Sequence, residues 1–284
     1  MTTVDLELYF NRIGFTGDPL PNIEVLEALQ LMHLQSIPFE NIDPFLGIPV
    51  YLSPMALQRK LIENKRGGYC FEHNLLLKNV LEQIGFSVSG LAARVRWQVE
   101  AGTVTPASHM MLKVEVNEID YLVDAGFGGQ VPTVPLKIVP NLIQATPHGD
   151  FRIVVENNYF VLQAKVIDSW LPVYSFDYSE RYQSDYEVIN YYLCNSYDSH
   201  FVRNLMIALP AEGHRKSLRT NLVGPLGRSR SENSIVGTFR KSSANEPSIS
   251  RDLDSAFDVI QALETEFSLP NLSSRRLATK LGAS

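Results

Sequence analysis

The stretch RGGYCFEHN, Arg66 to Asn74, holds one of only two cysteines in the 284-residue chain, behind two glycines and ahead of a long apolar run. Gly67 and Gly68 let a backbone turn tightly and approach a ligand closely. They deliver Cys70 to the first turn of the helix that the following residues predict. The unpaired N–H groups and the dipole of a helix N-terminus favour a thiolate over a thiol, drawing a cysteine pKa down from about 8.5 toward neutrality. A thiolate there is a nucleophile. The alternative is a buried thiol that packs as a small hydrophobe.

Such a nucleophile needs a base, and the base needs an orienting group. Of six histidines, His33, His148, His200 and His214 have no carboxylate in an informative local pattern. His73, one turn on from Cys70, reads as a solvated neighbour incidental to the chemistry. His109 differs, because it opens HMMLKVEVNEIDYLVDAGFGG, a natural hairpin. A two-residue turn at Asn117-Glu118 pairs Val116 with Ile119 and Met111 with Asp124, setting Asp124 diagonal to His109 at about 7 Å between backbones. Side chains span that gap. The same register gathers Met110, Leu112, Val114 and Val116 with Ile119, Tyr121, Val123 and Ala125 on one apolar face, and leaves His109 and Asp124 on the other. A four-residue loop would instead pair Lys113 with Asp124 and avoid opposing Glu115 to Asp120, keeping His109 and Asp124 on one face but further apart. A buried Asp in a strand needs a partner, and a histidine is a good one. The pair is either the orienting arm of a Cys-His-Asp site or a purely structural contact. Cys70, His109 and Asp124 in that chain order imply acyl transfer. Papain-like proteases share the order but place their His roughly 130–150 residues after the Cys, so a close papain relative is excluded.

Three stretches of different texture must position these groups. Residues 1–88 read as helical: Asp5 to Ile13, Asn22 to Gln35 and Pro54 to Glu63 carry apolar residues three and four apart, the last with Ser53 as cap and Pro54 as first helical residue. A fourth helix starts at the cysteine motif, with Phe71, Leu75, Leu77, Val80, Leu81 and Ile84 as its stripe and Gly85 as its stop. Residues 89–190 turn to short alternating or β-branched runs, from LAARVRWQV to WLPVYSF, separated by proline and glycine as in an antiparallel sheet or barrel. The helix SDYEVINYYLCNS, capped by Ser184 or Asp185, leads into residues 191–284, which close with the helix SAFDVIQALETEF. Between them the serine-rich GRSRSENSIVGTFRKSSANEPSIS is either a mobile loop or the turns of a small sheet.

With 45% hydrophobic residues the chain can bury a sizeable core, and a net charge of -6 argues against a nucleic-acid partner. Asp5 and Glu7 break any secretory signal, and no apolar run reaches membrane-spanning length. The expected location is the cytoplasm, where both cysteines are thiols. Cys194, inside YYLCNSY, reads as a packed helical thiol. No metal-ligand cluster surrounds either cysteine.

Together RGGYCFEHN, IPFENID (37–43), ARVRW (93–97), SHMMLKVEV (108–116) and VDAGFGGQVPTVPL (123–136) resemble the arylamine N-acetyltransferases, and the GFGGQ form resembles their bacterial branch. The likeness runs along most of residues 1–140; beyond, only the general plan is similar, so coenzyme contacts there are unassigned. The resemblance implies an α+β fold: a helical domain, an antiparallel β-barrel and an α/β lid around a cysteine-protease-like Cys-His-Asp core, mapping here onto Cys70, His109 and Asp124. It implies acetyl-CoA as cosubstrate with no permanently bound cofactor. Acceptors would be small arylamines, arylhydrazines or N-hydroxyarylamines. It also implies that Phe39, Gly126, Phe127 and Gly128 line the substrate site, with a core aromatic as the alternative for Phe127. Arg66 and Glu40 would brace the loop bearing Cys70, unless they form only a surface salt bridge. An amide synthase or thiol hydrolase could use the same triad on another acyl donor, and a non-catalytic binder could keep the fold. The oligomeric state is not legible.

Overall fold

Helix starts and stops fall where cap residues dictate in this computed structural model, which describes residues 3–220, 237–243, 248–269 and 274–282. α1 (Leu6–Ile13) and α2 (Ile23–Ser36) open on Asp5 and Asn22, whose side-chain oxygens accept the Leu8 and Val25 N–H groups at 3.0 and 2.9 Å. Two short elements follow that the sequence does not announce, β1 (Phe39–Glu40) and α3 (Ile42–Leu46). Ser53 and Pro54 open the next helix as expected. It divides, however, into α4 (Pro54–Leu57) and a π-helical run, Gln58–Glu63, a wider turn that spacings of three and four do not distinguish. α5 (Cys70–Ile84) begins at the cysteine itself and stops at Gly85, whose φ of +107° only glycine adopts readily.

An eight-stranded antiparallel sheet follows, in the order β5-β4-β3-β2-β9-β8-β7-β6. Its strands are β2 (Ser87–Val95), β3 (His109–Val116), β4 (Ile119–Val123), β5 (Leu136–Lys137), β6 (Ile143–Thr146), β7 (Gly149–Glu156), β8 (Tyr159–Val166) and β9 (Ser169–Phe176). The two outermost strands are stitched by one side chain: the Gln144 amide accepts from Lys137 N at 2.8 Å and donates to Lys137 O at 3.0 Å. The sheet is thereby a nearly closed barrel. The β3–β4 hairpin takes the two-residue turn, with φ of 51° and 62° at Asn117 and Glu118. Glu115 does oppose Asp120, and Lys113 compensates by donating to Asp120 Oδ1 at 2.7 Å.

β3 divides two cores. Met110, Leu112, Val114 and Val116, with Tyr121, Val123 and Ala125, pack against helical residues such as Leu26, Leu29, Leu77 and Val80. Met111 and Leu122 face the barrel interior with Leu91, Phe151, Leu162 and Val173. Only Ile119, at the hairpin tip, departs from its expected face partners by being exposed.

α6 (Gln183–Asn195) corrects the expected cap: Tyr182 is the cap residue, and Asp185 reaches back from the third helical position to accept Tyr182 N at 2.9 Å. After α7 (His200–Arg203) come β10 (Met206–Ala211) and β11 (His214–Thr220), an unforeseen hairpin. In the serine-rich stretch lie β12 (Gly237–Ser242) and the start of β13 (Ile249–Leu253); residues 227–236 and 244–247 are outside the described residues. These strands form a second sheet, β1-β10-β11-β12-β13. α8 (Ala256–Phe267) and α9 (Ser274–Lys280) cover a third core, which Ile42 and Phe45 of α3 also enter.

Candidate active site

Cys70 is the first helical residue of α5 and is almost completely buried. The two glycines before it bring the loop close to protein rather than leave room for a ligand. A Cβ on Gly67 would lie 2.0 Å from Pro38 O, and one on Gly68 2.7 Å from Glu72 Cβ. Gly68 N donates to Pro38 O at 3.3 Å and Glu40 N to Gly68 O at 2.7 Å, fixing the loop to β1. Glu72 Oε2 accepts Tyr69 N at 3.1 Å, closing the helix start.

Beneath this loop lies a buried ionic cluster, not a surface salt bridge. Arg66 donates through Nε and Nη2 to Glu40 Oε1 at 2.9 and 2.6 Å, and through Nη2 to Asp43 Oδ1 at 3.0 Å. Lys60 Nζ joins Asp43 and Glu72, each at 2.7 Å. Three acids thus share two cations. Burial is the main reason that the Glu72 carboxyl is pushed up to about 7; Lys60 opposes the shift, while Glu40 and Asp43 add to it.

His109 opens β3 and Asp124 directly follows β4, so the hairpin register brings them together: His109 Nε2 lies 2.7 Å from Asp124 Oδ2. The Asp124 side chain has no exposure, and its Oδ1 accepts the Gly126 N–H at 2.8 Å and the Asn74 amide at 3.2 Å. Burial alone would raise that carboxyl. The His109 charge and these donors instead hold it below the usual carboxylate range. For His109 burial pushes downward, but Asp124, with a hydrogen bond to Cys70, overrides it and lifts the imidazole to about 10. Since Nε2 is taken by Asp124, Nδ1 is left for the thiol. Phe127 meets the His109 ring edge-on at 5.1 Å between centroids, and Tyr174 packs on both rings, at 5.1 and 5.3 Å.

The structure therefore brings Cys70, His109 and Asp124 together. Gly126 packs on Cys70 itself, a Cβ there lying 2.5 Å from Cys70 Cα. Gly128, with φ +84°, lets the Phe39 ring approach: a Cβ would be 3.4 Å from it. Phe127 is half-buried between the helical and barrel cores. His73 contradicts its reading as a solvated neighbour. It is fully buried and bonded to His33 and Pro38. Cys194 is buried in α6, beside Asn190 and Tyr69.

Several residues of the site carry no signal on their own. Asn74, the last residue of the cysteine motif, donates to Met110 O at 2.7 Å and accepts Ala125 N at 2.9 Å, so it ties α5 to β3 and to the end of β4. Gln30 of α2 donates to Asp124 O and Pro132 O at 3.1 and 2.8 Å. Tyr174 sits in an ordinary alternating strand. Only contact across the fold reveals the last two. Chemically, the arrangement offers a thiol at a helix start, an imidazole kept cationic by a buried carboxylate, and an aromatic wall beside both.

A family model for N-acetyltransferases matches residues 22–259. The arylamine N-acetyltransferase of Mycolicibacterium smegmatis is 43% identical over 220 residues, covering 76% of this chain and 80% of the relative. That of Escherichia coli is 39% identical over 202 residues, 71% of this chain and 72% of the relative. The solved structure of the M. tuberculosis arylamine N-acetyltransferase superposes with a TM-score of 0.88 at 35% identity, covering 98% of this chain and 99% of that one. The M. marinum arylamine N-acetyltransferase in complex with CoA does so with a TM-score of 0.87 at 32% identity, covering 98% of each. A match over most of the length, in sequence and in fold, leaves no ambiguity of family: the chain belongs to the arylamine N-acetyltransferases.

Proposed function

We propose that this chain moves an acetyl group from acetyl-CoA to arylamines, arylhydrazines or N-hydroxyarylamines through an acetyl-Cys70 intermediate. The observation that carries the reading is the 2.7 Å contact of His109 with fully buried Asp124, beside Cys70 at the start of α5. Cys70, as a thiolate paired with the His109 imidazolium, attacks the thioester carbonyl. The resulting oxyanion is met by N–H groups of the helix start that lack intrahelical acceptors. Collapse expels the CoA thiolate, which takes the proton from His109 and leaves as CoA. A neutral arylamine then attacks acetyl-Cys70 and gives its proton to His109. The amide departs, and the thiolate–imidazolium pair is restored. Arylamines suit this second step because they are unprotonated at pH 7, whereas a lysine-like amine of pKa about 10.4 is mostly charged.

In the same reading Phe39, Gly126, Phe127 and Gly128 form the substrate wall, and Arg66 and Glu40 brace the nucleophile loop. Residues 1–88 carry the nucleophile, 89–190 the His and Asp, and 191–284 a helical linker and the α/β lid. Support for that division comes from α5 ending where β2 begins, although β1 pairs with β10 of the lid. Among the described residues no helix is long and apolar enough to cross a membrane, and the proposed location is the cytoplasm.

Intact-protein mass spectrometry after incubation with acetyl-CoA alone tests the reading. One acetyl group is expected on Cys70, discharged by 4-aminobenzoate or a hydrazine and absent in Cys70→Ala. No adduct and no CoA release would refute it.

A further inference from the structure

Three fully buried side chains that acetyl transfer leaves unused form one hydrogen-bonded chain running from α1 to the segment beside the nucleophile loop. Tyr9 Oη lies 2.9 Å from His33 Nδ1, His33 Nε2 lies 2.8 Å from His73 Nδ1, and His73 Nε2 lies 3.2 Å from Pro38 O. None of the three has any solvent exposure. A carbonyl oxygen only accepts, which sets the first link, and with neutral rings each later link follows from it. His73 Nε2–H donates to Pro38, His33 Nε2–H donates to His73 Nδ1, and Tyr9 O–H donates to His33 Nδ1. Each ring then carries its single proton on Nε2. Burial agrees with that assignment, pushing His73 down to about 4 and His33 well below its ordinary value.

The chain ends at a point that matters for access to Cys70. Pro38 O already accepts Gly68 N, and Glu40 N bonds to Gly68 O, so His73 supplies a third tie on the 38–40 segment. Phe39, the next residue, bridges to Gly68, two positions before Cys70. Its ring rests on Gly128, in the segment where Gly126 packs on Cys70 and Phe127 on His109. Phe39 thus closes the gap between the loop that delivers the thiol and the segment that follows Asp124. An apolar side chain at position 73 could fill the same volume but would supply no directional tie, and would leave Pro38 O one donor short.

We propose that Tyr9, His33 and His73 form a positioning device in which His73, by anchoring Pro38, holds the Phe39 ring against Gly128 and sets how bulky a group reaches Cys70. The proposal rests on Cys70 as the acetyl-accepting nucleophile, but its test does not require acetyl transfer. Alkylation of Cys70 by iodoacetamide and by a bulky N-aryl iodoacetamide, mapped by peptide mass spectrometry, gives a rate ratio that reports steric access. His73→Leu is expected to raise the bulky-to-small ratio at least threefold. His73→Gln, able to donate to Pro38 and accept from His33, is expected to return it to within twofold of the parent. An unchanged ratio in folded His73→Leu, or a raised ratio that His73→Gln does not restore, overturns the proposal. If His73→Leu does not fold, Tyr9→Phe is read instead: it keeps the ring packing and is expected to raise the ratio about twofold, and no change overturns the proposal. A parent that alkylates at Cys70 but never forms acetyl-Cys70 would sink the acetyl-transfer reading while leaving the ratio test valid.

Discussion

Asp124→Asn keeps the shape of the site and removes one charge. The donors to Oδ1, Gly126 N–H and the Asn74 amide, remain, so the fold is expected to survive. The group 2.7 Å from His109 Nε2 loses its charge. His109 stands at about 10 because Asp124 outweighs burial, which by itself pushes the imidazole down. Without the charge, burial is opposed by Cys70 alone and draws the imidazole back toward the ordinary value of about 6.5. The gap from about 10 to about 6.5 corresponds to roughly 5 kcal/mol at ~1.4 kcal/mol per pH unit, with little screening at a side chain only 4% exposed. Single-turnover CoA release from acetyl-CoA at pH 7 is expected to fall by about 10³, in line with the loss on replacing a triad Asp by Asn, about 10⁴. Stability provides a second readout. A histidine raised above its unfolded value contributes in full below about 6.5 and loses that contribution as pH rises through about 10. The Asn variant should therefore have a flatter urea-denaturation profile across that window. A folded variant that releases CoA within tenfold of the parent would show the pair to be purely structural.

Glu72 gives the opposite sign. A carboxyl held at about 7 in the fold, against about 4.3 unfolded, binds its proton more tightly when native, so stability falls by about 4 kcal/mol as pH rises through that interval. Glu72→Gln, still able to accept Tyr69 N–H, should remove the slope between pH 5 and 8 in urea denaturation; an unchanged slope refutes the assignment. Arg66→Ala leaves Glu40 buried without its two-donor partner and is expected to cost 3–5 kcal/mol, on the order measured for broken buried pairs. Arg66→Lys should recover less than half, because one ammonium cannot reproduce the fork; full recovery in thermal melts would contradict this. Gly126→Ala places a Cβ 2.5 Å from Cys70 Cα and should destabilise by about 1–3 kcal/mol while slowing Cys70 acetylation. Gly129→Ala, with no atom within 4 Å of its Cβ, should be neutral in both assays.

The parts of this site legible in sequence are those fixed by local rules. Cys70 at a helix start follows from the stripe behind it and Gly85 at its end. His109 beside Asp124 follows from strand alternation and from a two-residue turn at Asn117-Glu118. What stayed hidden depends on partners distant in the chain. His73 looks solvated when only α5 is considered, because nothing local reveals that His33 of α2 and Pro38 cover it. β1 spans two residues and has meaning only through β10, so no periodicity could mark it. Arg66 and Glu40 pair as charge suggests, but the cluster also takes in Asp43 of α3 and Lys60, whose shares in it have no spacing signature.

The proposed acyl transfer asks that a helix-borne thiol and a strand-borne imidazole stay within hydrogen-bonding reach, although they belong to different layers. Cys70 lies in the core beneath the helices, whereas the His109 ring packs against Tyr174 of the barrel core. Apolar packing alone would let such layers slide, since dispersion has no preferred direction. Directional bonds across the boundary prevent this: Asn74 from α5 grips β3 and the end of β4, and Gln30 from α2 grips Asp124 O. The first five residues of α5 are accordingly all buried, with three polar side chains, Glu72, His73 and Asn74, each committed to a different neighbour. An amphipathic helix would expose such residues. Their burial here means that α5 enters the protein end-on, and that polar bonds as well as apolar packing set the orientation of Cys70.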